Sequence, residues 1–277
     1  MKICLLAESG ASPVVASALS QLSRRHTVMR RDPATVLDDD ICRSTELRDV
    51  DVYLLKSRSA AARTMAGAAQ EAGALVINTP DATAAALDRA RMAALLRKAH
   101  VCTPHTSVYR SLNVLALTCA TSATVSWPLV IKSRYSRRGD LVTVVRQPLE
   151  LLALLPQWGA EPVIAQQFVS NDGFDLKFWV IDRQIYLARR PGALSGRITD
   201  RDVAVDPAGL PTEWLTTALA AGAALGLEVF GADCLVTADG LAVIDVNAFP
   251  GFRCATGADL ALTNLVERRA AEWRSCA

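Results

Sequence analysis

Two apolar segments joined by Asp239-Gly240 are the feature that most constrains the fold of this chain. An Asp-Gly dipeptide between strand-like segments is the strongest short-range signal for a tight β-hairpin. Counting outward from this turn, Asp233 and Asp245 fall nearly opposite each other, and Asn247 follows Asp245 by two residues on the same face of the strand. The pattern therefore predicts an antiparallel hairpin that carries two carboxylates and one amide on a single face.

The chemistry of this face indicates a metal ion. Isolated acidic residues on a hairpin most often only face solvent. Here, however, Asp233 and Asp245 are embedded in apolar strands, where an acid without a partner is costly. Two converging carboxylates repel each other unless a cation lies between them, and carboxylate and amide oxygens are the ligands that Mg²⁺ takes while it holds a nucleotide's phosphates. We interpret Asp233, Asp245 and Asn247 as a set of metal ligands.

Alternating strand and helix patterns at the amino terminus predict a small parallel sheet with helices on its faces, ending near residue 85. The strands are predicted at 2–7, 51–56 and 74–79, and an Ala-rich helix at 60–72. The first strand is followed by neither a GxGxxG nor a GxxxxGK[ST] motif. A nucleotide must therefore be held elsewhere in the chain.

The remainder of the sequence predicts a second, mixed unit. A helix at 83–99 precedes a strand, a basic loop and a further strand within 127–145. The other predicted elements are a short helix at 148–158, a strand around 162–169, a hairpin that turns at Asp182-Arg183, a helix at 211–226 and a terminal helix at 258–273.

Composition excludes several classes of protein. Hydrophobic residues make up 51% and charged residues 21% of the chain, with a net charge of +2, so we expect no nucleic acid partner. The uncharged and predominantly apolar stretch at 214–227 is shorter than the roughly 20 residues of a membrane-spanning helix, so we expect no membrane partner. The early charges Lys2 and Glu8 argue against a signal peptide. Seven cysteines without any CxxC pair favour free thiols and a cytoplasmic protein.

The segment GADCLVTADGLAVIDVNAFPGF at 231–252 resembles the carboxyl-terminal signature of ATP-grasp enzymes. PLVIKSRYSRRG is similar to that family's strand, phosphate-binding lysine and mobile loop, and VIAQQFV to the strand and hinge that hold adenine. The resemblance covers roughly residues 85–277. It implies an α/β (α+β) ATP-grasp fold with a Rossmann-like pre-ATP-grasp domain at 1–85, a central α+β lid subdomain at 86–165 and a carboxyl-terminal antiparallel-sheet subdomain at 166–277.

The same resemblance implies roles for the nucleotide site. Asp233, Asp245 and Asn247 would bind the Mg²⁺ of Mg-ATP, with one or two ions and with Mn²⁺ as a substitute. Lys132 would contact the α- and β-phosphates of ATP. Backbone groups around three hinge residues would read the adenine edge: Gln167, Phe168 and Val169.

The sequence departs from the family pattern at three places. Asp88-Arg89 stands where many members have Asp-Lys, so Arg89 would bind phosphate with a planar fork instead of a point charge. Gln167 replaces an expected Glu, so the ribose or adenine contacts would differ. The basic loop SRYSRRGD has one glycine, Gly139, and either binds an anionic ligand or is a solvated turn. We assign Arg137 and Gly139 of this loop to the nucleotide site.

A further basic group lies on the predicted 174–190 hairpin. Lys177 and Arg189 are each six residues from Arg183, so the register could bring them close. In the family, a cation on this strand approaches the γ-phosphate or an acyl phosphate, which implies catalytic roles for Lys177 and Arg190. Arg197 is assigned to a substrate-covering loop. The alternative is that these are strand-edge charges that discourage aggregation.

The predicted activity is that of an ATP-dependent carboxylate–amine ligase, which forms an amide through an acyl phosphate and releases ADP and phosphate. The resemblance is to the glutamate ligases that modify a ribosomal protein and to D-alanine ligases. The partners would be a small-molecule or peptide carboxylate and an amine acceptor, while a homo-oligomer is left open. One alternative is a kinase, since FDLKFWVIDRQIYLARRP also resembles inositol-phosphate kinases of this fold. A second is a non-catalytic nucleotide-binding module, which the intact set of metal ligands and Lys132 argues against.

Overall fold

Three β-sheets with flanking helices make up the protein, in a computed structural model that describes residues 1–8, 12–35, 49–122, 125–192 and 202–276. The amino-terminal sheet is parallel and has the strand order β2-β1-β3-β4. Its elements are β1 (Lys2–Leu6), α1 (Pro13–Leu22), β2 (Thr27–Arg31), β3 (Val52–Leu55), α2 (Ala60–Glu71) and β4 (Leu75–Ile77).

The sequence predicts all of this sheet except β2. That strand lies at the sheet edge, and none of its five residues is buried. It therefore lacks the continuous apolar signal of the central strands β1 and β3, most of whose residues are buried.

The single helix predicted at 83–99 is wrong, because Asp88 divides it into α3 (Pro80–Leu87) and α4 (Arg89–Lys98). The Asp88 backbone is extended, and its carboxylate accepts hydrogen bonds from the amides of Ala90 and Arg91 as the N-cap of α4. Both helices contribute to the hydrophobic core of the carboxyl-terminal sheet, for example through Ala82 and Met92.

The central sheet is antiparallel, with the order β5-β8-β6-β7. Leu112, Leu115, Leu151 and Ile131 belong to its core cluster. Neither β5 nor α5 is among the predicted elements. The elements are β5 (Thr106–Tyr109), α5 (Leu112–Thr121), β6 (Leu129–Ser133), β7 (Val142–Val145), α6 (Pro148–Trp158) and β8 (Val163–Gln167).

The carboxyl-terminal sheet is antiparallel, with the order β11-β10-β9-β12-β13. Both predicted hairpins are present, with turns at Asp182 and Gly240, each of which has a positive φ. The elements are β9 (Phe174–Ile181), β10 (Gln184–Pro191), β11 (Val203–Val205), α7 (Thr212–Leu225), β12 (Val229–Thr237), β13 (Gly240–Ala248) and α8 (Ala258–Cys276).

The amino-terminal and carboxyl-terminal sheets share one core. Leu262 of α8 and Ile181 of β9 belong to the same buried cluster as Leu5 of β1 and Leu22 of α1. The buried Asn78 side chain adds polar contacts, since its Nδ2 donates to the Val229 carbonyl at 2.7 Å. This packing positions the ends of the parallel strands against the segment that follows β13.

The boundaries predicted at 85/86 and 165/166 stay a prediction, and the second of these positions falls inside β8. No helix among the described residues combines the length and apolarity that crossing a membrane requires.

Candidate functional site

A cleft of about 410 Å³ lies between the central sheet and the carboxyl-terminal sheet. Strands β6 and β8 contribute one wall, and β9, β10, β12 and β13 contribute the other. The predicted site residues that line it are Arg89, Lys132, Gln167, Phe168, Val169, Arg190, Asp233 and Asp245.

The two acids of the predicted metal set face each other across the hairpin. Asp233 pairs directly with Asp245 in the register of β12 and β13, as the count from the turn predicted. The Asn247 Nδ2 lies 3.5 Å from the Asp233 Oδ2. Asp233 is only 7% exposed, so its charge requires a compensating partner.

Lys177 and Arg190 supply that compensation in this structure. The Lys177 Nζ lies 2.6 Å from the Asp233 Oδ1, and the Arg190 Nη2 lies 3.0 Å from the same oxygen. Lys177 is the cross-strand neighbour of Asp233 between β9 and β12. Arg190 stands opposite Asp175 in the β9–β10 register, with its Nε 3.9 Å from the Asp175 Oδ2.

The proposed approach of Arg189 to Lys177 is wrong, because the β9–β10 register pairs Lys177 with Ala188. The side chain of Arg189 instead binds Asp172 at 2.8 Å. Its guanidinium lies 3.6 Å from the centre of the Phe174 ring. Arg197 falls outside the described residues.

Lys132 is a buried cation at the floor of the cleft, 6% exposed. Its Nζ donates to the Ile244 carbonyl at 2.9 Å. The register of β12 and β13 shifts by one residue after Asp233, so Ile244 lies in a β-bulge without a paired residue on β12. Its carbonyl is therefore available as an acceptor for Lys132. Burial lowers the pKa of Lys132, while the nearby carboxylate of Asp245 acts in the opposite direction.

Arg89 lies beside Lys132 with its guanidinium already engaged. Its Nη1 donates to the Ser133 carbonyl at 2.9 Å and to the Asp140 Oδ2 at 2.6 Å. Its Nη2 lies 3.8 Å from the Asp245 Oδ2. Arg89 is thus a fixed positive charge next to the acidic pair.

Two arginines of the basic loop 134–140, Arg134 and Arg137, pair with acids that do not line the cleft. The Arg134 Nη2 lies 2.7 Å from the Asp88 Oδ2, and its Nε lies 3.0 Å from the Asp88 Oδ1, a bidentate pair. The Arg137 Nη1 lies 2.6 Å from the Glu161 Oε1. Neither Arg137 nor Gly139 lines the cleft. Gly139 has a φ of +74°, a left-handed backbone conformation that glycine adopts without steric cost.

The three hinge residues line the cleft, but the backbone amides of two of them are already engaged. The Gln167 amide donates to the His105 carbonyl at 2.9 Å, and the Phe168 amide donates to the Pro128 carbonyl at 3.3 Å. Gln167 and Phe168 would therefore contact an adenine through groups other than their backbone N–H, namely their carbonyls or side chains.

Two residues that the sequence analysis did not single out belong to the site. Asp175 lines the cleft as a buried acid in an apolar strand, the same signal that marked Asp233. Arg58 comes from the amino-terminal unit, and its Nη2 donates to the Asn247 Oδ1 at 3.1 Å. No sequence signal marks Arg58, because its position depends on how the sheets pack together.

The donor set fits a hard divalent cation. Across the described ranges, no group of three or more His, Cys, Asp or Glu side chains is arranged to hold a metal ion. The set here has two carboxylates and one amide, and these oxygen donors suit Mg²⁺. Asp233, Asp245 and Asn247 are the residues that would hold it.

Comparison with known proteins gives a family and a relative. A model described as the RimK-like ATP-grasp domain matches residues 86–266. A probable alpha-L-glutamate ligase from Thioalkalivibrio sulfidiphilus is 29% identical over 159 residues, which is 53% of this chain and 53% of that ligase. The match thus spans about half the length of that curated relative.

Two solved structures are similar over almost their whole length. A RimK-domain ATP-grasp protein from Sphaerobacter thermophilus has a TM-score of 0.77 at 22% identity, covering 96% of this chain and 98% of that one. A D-alanine–D-alanine ligase from Bacillus anthracis has a TM-score of 0.71 at 17% identity, covering 98% and 99%. At these identities the likeness shows a shared fold.

Proposed function

The chain belongs to the RimK-like ATP-grasp family, and from this premise we propose that it joins a carboxylate to an amine at the expense of ATP. The family and the fold predicted from the sequence are thereby confirmed. The activity rests on one observation above all: opposed carboxylates, Asp233 and Asp245, share a cleft with the buried cation Lys132. This is the arrangement that binding a metal-bound polyphosphate requires.

The proposed reaction has two steps. An oxygen of the substrate carboxylate attacks the γ-phosphorus of ATP, the bond from that phosphorus to the bridging oxygen breaks, and ADP leaves with the electron pair. The amine nitrogen then attacks the carbonyl carbon of the acyl phosphate and expels phosphate. The proton lost from nitrogen ends on the released phosphate, so the products are an amide, ADP and hydrogen phosphate.

The cations of the cleft would stabilise the negative charge of the phosphates. Lys132 and Arg89 are buried near the acidic pair and would contact the ATP phosphates. A divalent ion on Asp233, Asp245 and Asn247 would neutralise phosphate oxygens during transfer.

Two cations would act on the group that is transferred. Lys177 and Arg190 pair with Asp233 in this structure and would reach the transferred phosphoryl group. Phe168 and Val169 would face the adenine. The carboxylate substrate is a small molecule or a peptide.

Product analysis tests this proposal. The purified protein is incubated with Mg-ATP and panels of carboxylates, amines and alcohols, and ADP, free phosphate and phosphorylated products are quantified separately. We expect ADP and free phosphate in equal amounts with an amide product, and a hydroxamate when hydroxylamine replaces the amine. A stable phosphorylated alcohol without free phosphate would contradict the ligase and favour the kinase. Asp245→Asn serves as the inactive control.

A further inference from the structure

The amino-terminal sheet has a topological switch point next to the proposed active site. In the order β2-β1-β3-β4, the chain after β1 adds β2 on one side of the sheet, and the chain after β3 adds β4 on the other side. The switch point therefore lies between β1 and β3. Ligands of such open parallel sheets bind in the crevice outside the carboxyl ends of the two strands at the switch. Glu8 follows β1 at this crevice, and Lys56, Ser57 and Arg58 follow β3.

The residues that follow β3 contact the segment around the acidic pair. The Lys56 Nζ donates to the Phe249 carbonyl at 3.2 Å. The Arg58 Nη2 donates to the Asn247 Oδ1 at 3.1 Å. An anion bound by the free edge of the Arg58 guanidinium would consequently lie beside the proposed metal ligands and the phosphates of ATP.

The positive charge of Arg58 is not balanced within the described part of the chain. Its side chain is exposed, and the neutral amide of Asn247 is its hydrogen-bond acceptor. Among the described residues no ion pair joins Arg58 to Glu8, whose carboxylate accepts a hydrogen bond from the hydroxyl of Ser57 at 2.9 Å. Arg58 also immediately precedes Ser59, the N-cap of α2, where the helix dipole adds positive potential.

Lys56 strengthens this potential. Burial lowers the pKa of Lys56, and the charge of Arg58, two residues further along the chain, lowers it further. No carboxylate of the described residues forms an ion pair with either of them. Such a pair attracts an anion of the substrate.

We propose that Arg58 binds the carboxylate of the substrate that is to be phosphorylated and holds it beside Asn247. The guanidinium fork matches the two oxygens of a carboxylate, which a lysine ammonium would contact only as a point charge. This inference rests on the proposed ligase function and names the chemical class that the crevice takes. Arg58 is therefore a substrate-binding residue contributed by the amino-terminal unit.

The test separates binding of the carboxylate from binding of ATP. The probes are L-glutamate, L-aspartate, succinate and the remaining free L-amino acids, each assayed with Mg-ATP and hydroxylamine for release of ADP. The best probe is then titrated with the unaltered protein, Arg58→Gln, Arg58→Lys and the control Arg24→Gln. Arg24 is an exposed arginine just after α1.

Arg58→Gln should raise the KM for the carboxylate by at least about tenfold, since a charge-assisted contact is lost. The KM for ATP and the affinity for an ATP analogue by calorimetry should change by less than about twofold. Arg58→Lys should restore part of the loss, and Arg24→Gln should match the unaltered protein.

Three results would overturn the inference. An unchanged KM for the carboxylate in Arg58→Gln would show that Arg58 does not contact it. Equal losses in the ATP and carboxylate KM would show that Arg58 only orients Asn247. Failure of the unaltered protein to release ADP with any carboxylate would contradict the proposed function, and the inference would fall with it.

Discussion

The acidic cluster and the basic loop both contain several charged residues but are organised in opposite ways. In the cluster, Asp233 and Lys132 are buried and the Asp245 side chain is 18% exposed. The two acids lie on neighbouring strands of one sheet, and Lys132 lies on the sheet across the cleft. In the loop, Arg134 and Arg137 are paired with Asp88 and with Glu161, acids from α4's N-cap and from the segment before β8. The charged side chains of the cluster therefore face a cleft, whereas Arg134 and Arg137 of the loop form ion pairs with acids of the protein itself.

The difference shows that a run of arginines is by itself weak evidence of an anion site. Partial burial would raise the pKa of Asp88, but hydrogen bonds from Arg134 and from the Arg91 and Ala90 amides outweigh it and lower the pKa. Asp88 therefore holds Arg134 as an ionised partner at neutral pH. Anion binding by this arginine would require that pair to break.

Asp245→Asn should have the largest effect, because it removes one charge from the proposed metal set without changing the shape of the side chain. We expect turnover with Mg-ATP to fall by about a thousandfold or more, since several kcal/mol of transition-state stabilisation are lost. Steady-state ADP release measures the effect, and circular dichroism checks the fold. Asp239→Asn, the same change at the exposed turn of the same hairpin, is the control. Near-normal turnover in a folded Asp245→Asn protein would refute the assignment.

Lys132→Met should weaken ATP binding, because it removes the buried ammonium while keeping an unbranched side chain of similar length. A charge-assisted contact contributes roughly 1.5 to 3 kcal/mol, so affinity should fall by at least about tenfold. Calorimetry with a non-hydrolysable analogue measures it, with Lys98→Met on α4 as the control. If both variants bind the analogue equally well, Lys132 has only a structural role.

The sequence predicts the opposition of the two acids well because strand register is a local property. The positions of Asp233 and Asp245 follow from one turn at Gly240, whereas the place of Lys132 beside them was implied only by the resemblance to the ATP-grasp family. The partners of Arg137 and Arg58 could not be predicted, since Glu161 and Asn247 are brought to them by packing of distant segments. Asp88 is a residue type that favours N-caps, so the end of one helix and the start of the next could in principle have been predicted there. The helical apolar pattern continues on both sides of Asp88, however, and predicts one uninterrupted helix.

Limited trypsin digestion sharpens the comparison within the loop. Cleavage requires local opening of the backbone. The side chain of Arg134 is held by Asp88, and its amide donates to the Pro162 carbonyl. We therefore expect cleavage after Arg138 to be several-fold faster than cleavage after Arg134, as measured by mass spectrometry.

Asp88→Asn should raise the rate of cleavage after Arg134, because asparagine retains the cap of α4 but loses the charge. A saturating ATP analogue should slow cleavage if the loop closes over the nucleotide. Equal rates after Arg134 and Arg138 in the free protein would contradict the pairing with Asp88. Equal rates with and without the analogue would leave the loop as a solvated turn.

The smallest effect is expected from Glu161→Gln, which removes the charge that Arg137 contacts. The hydrogen bond from Arg137 lowers the pKa of Glu161 below its ordinary 4.5. Because the pKa of Glu161 is lowered in the folded state, the pair stabilises the protein fully when the pH is above the ordinary pKa. This stabilisation is lost as the pH falls through the pKa of the folded state.

Since 46% of the Arg137 side chain is exposed, Glu161→Gln should lower the free energy of unfolding by less than about 1 kcal/mol at neutral pH. Urea titrations of both proteins should therefore converge as the pH is lowered below 4.5 and through the folded-state pKa of Glu161. Addition of salt should reduce the difference at neutral pH. A difference that persists in full at low pH would show that Glu161 stabilises the loop by packing, and the contrast between loop and cluster would no longer rest on charge.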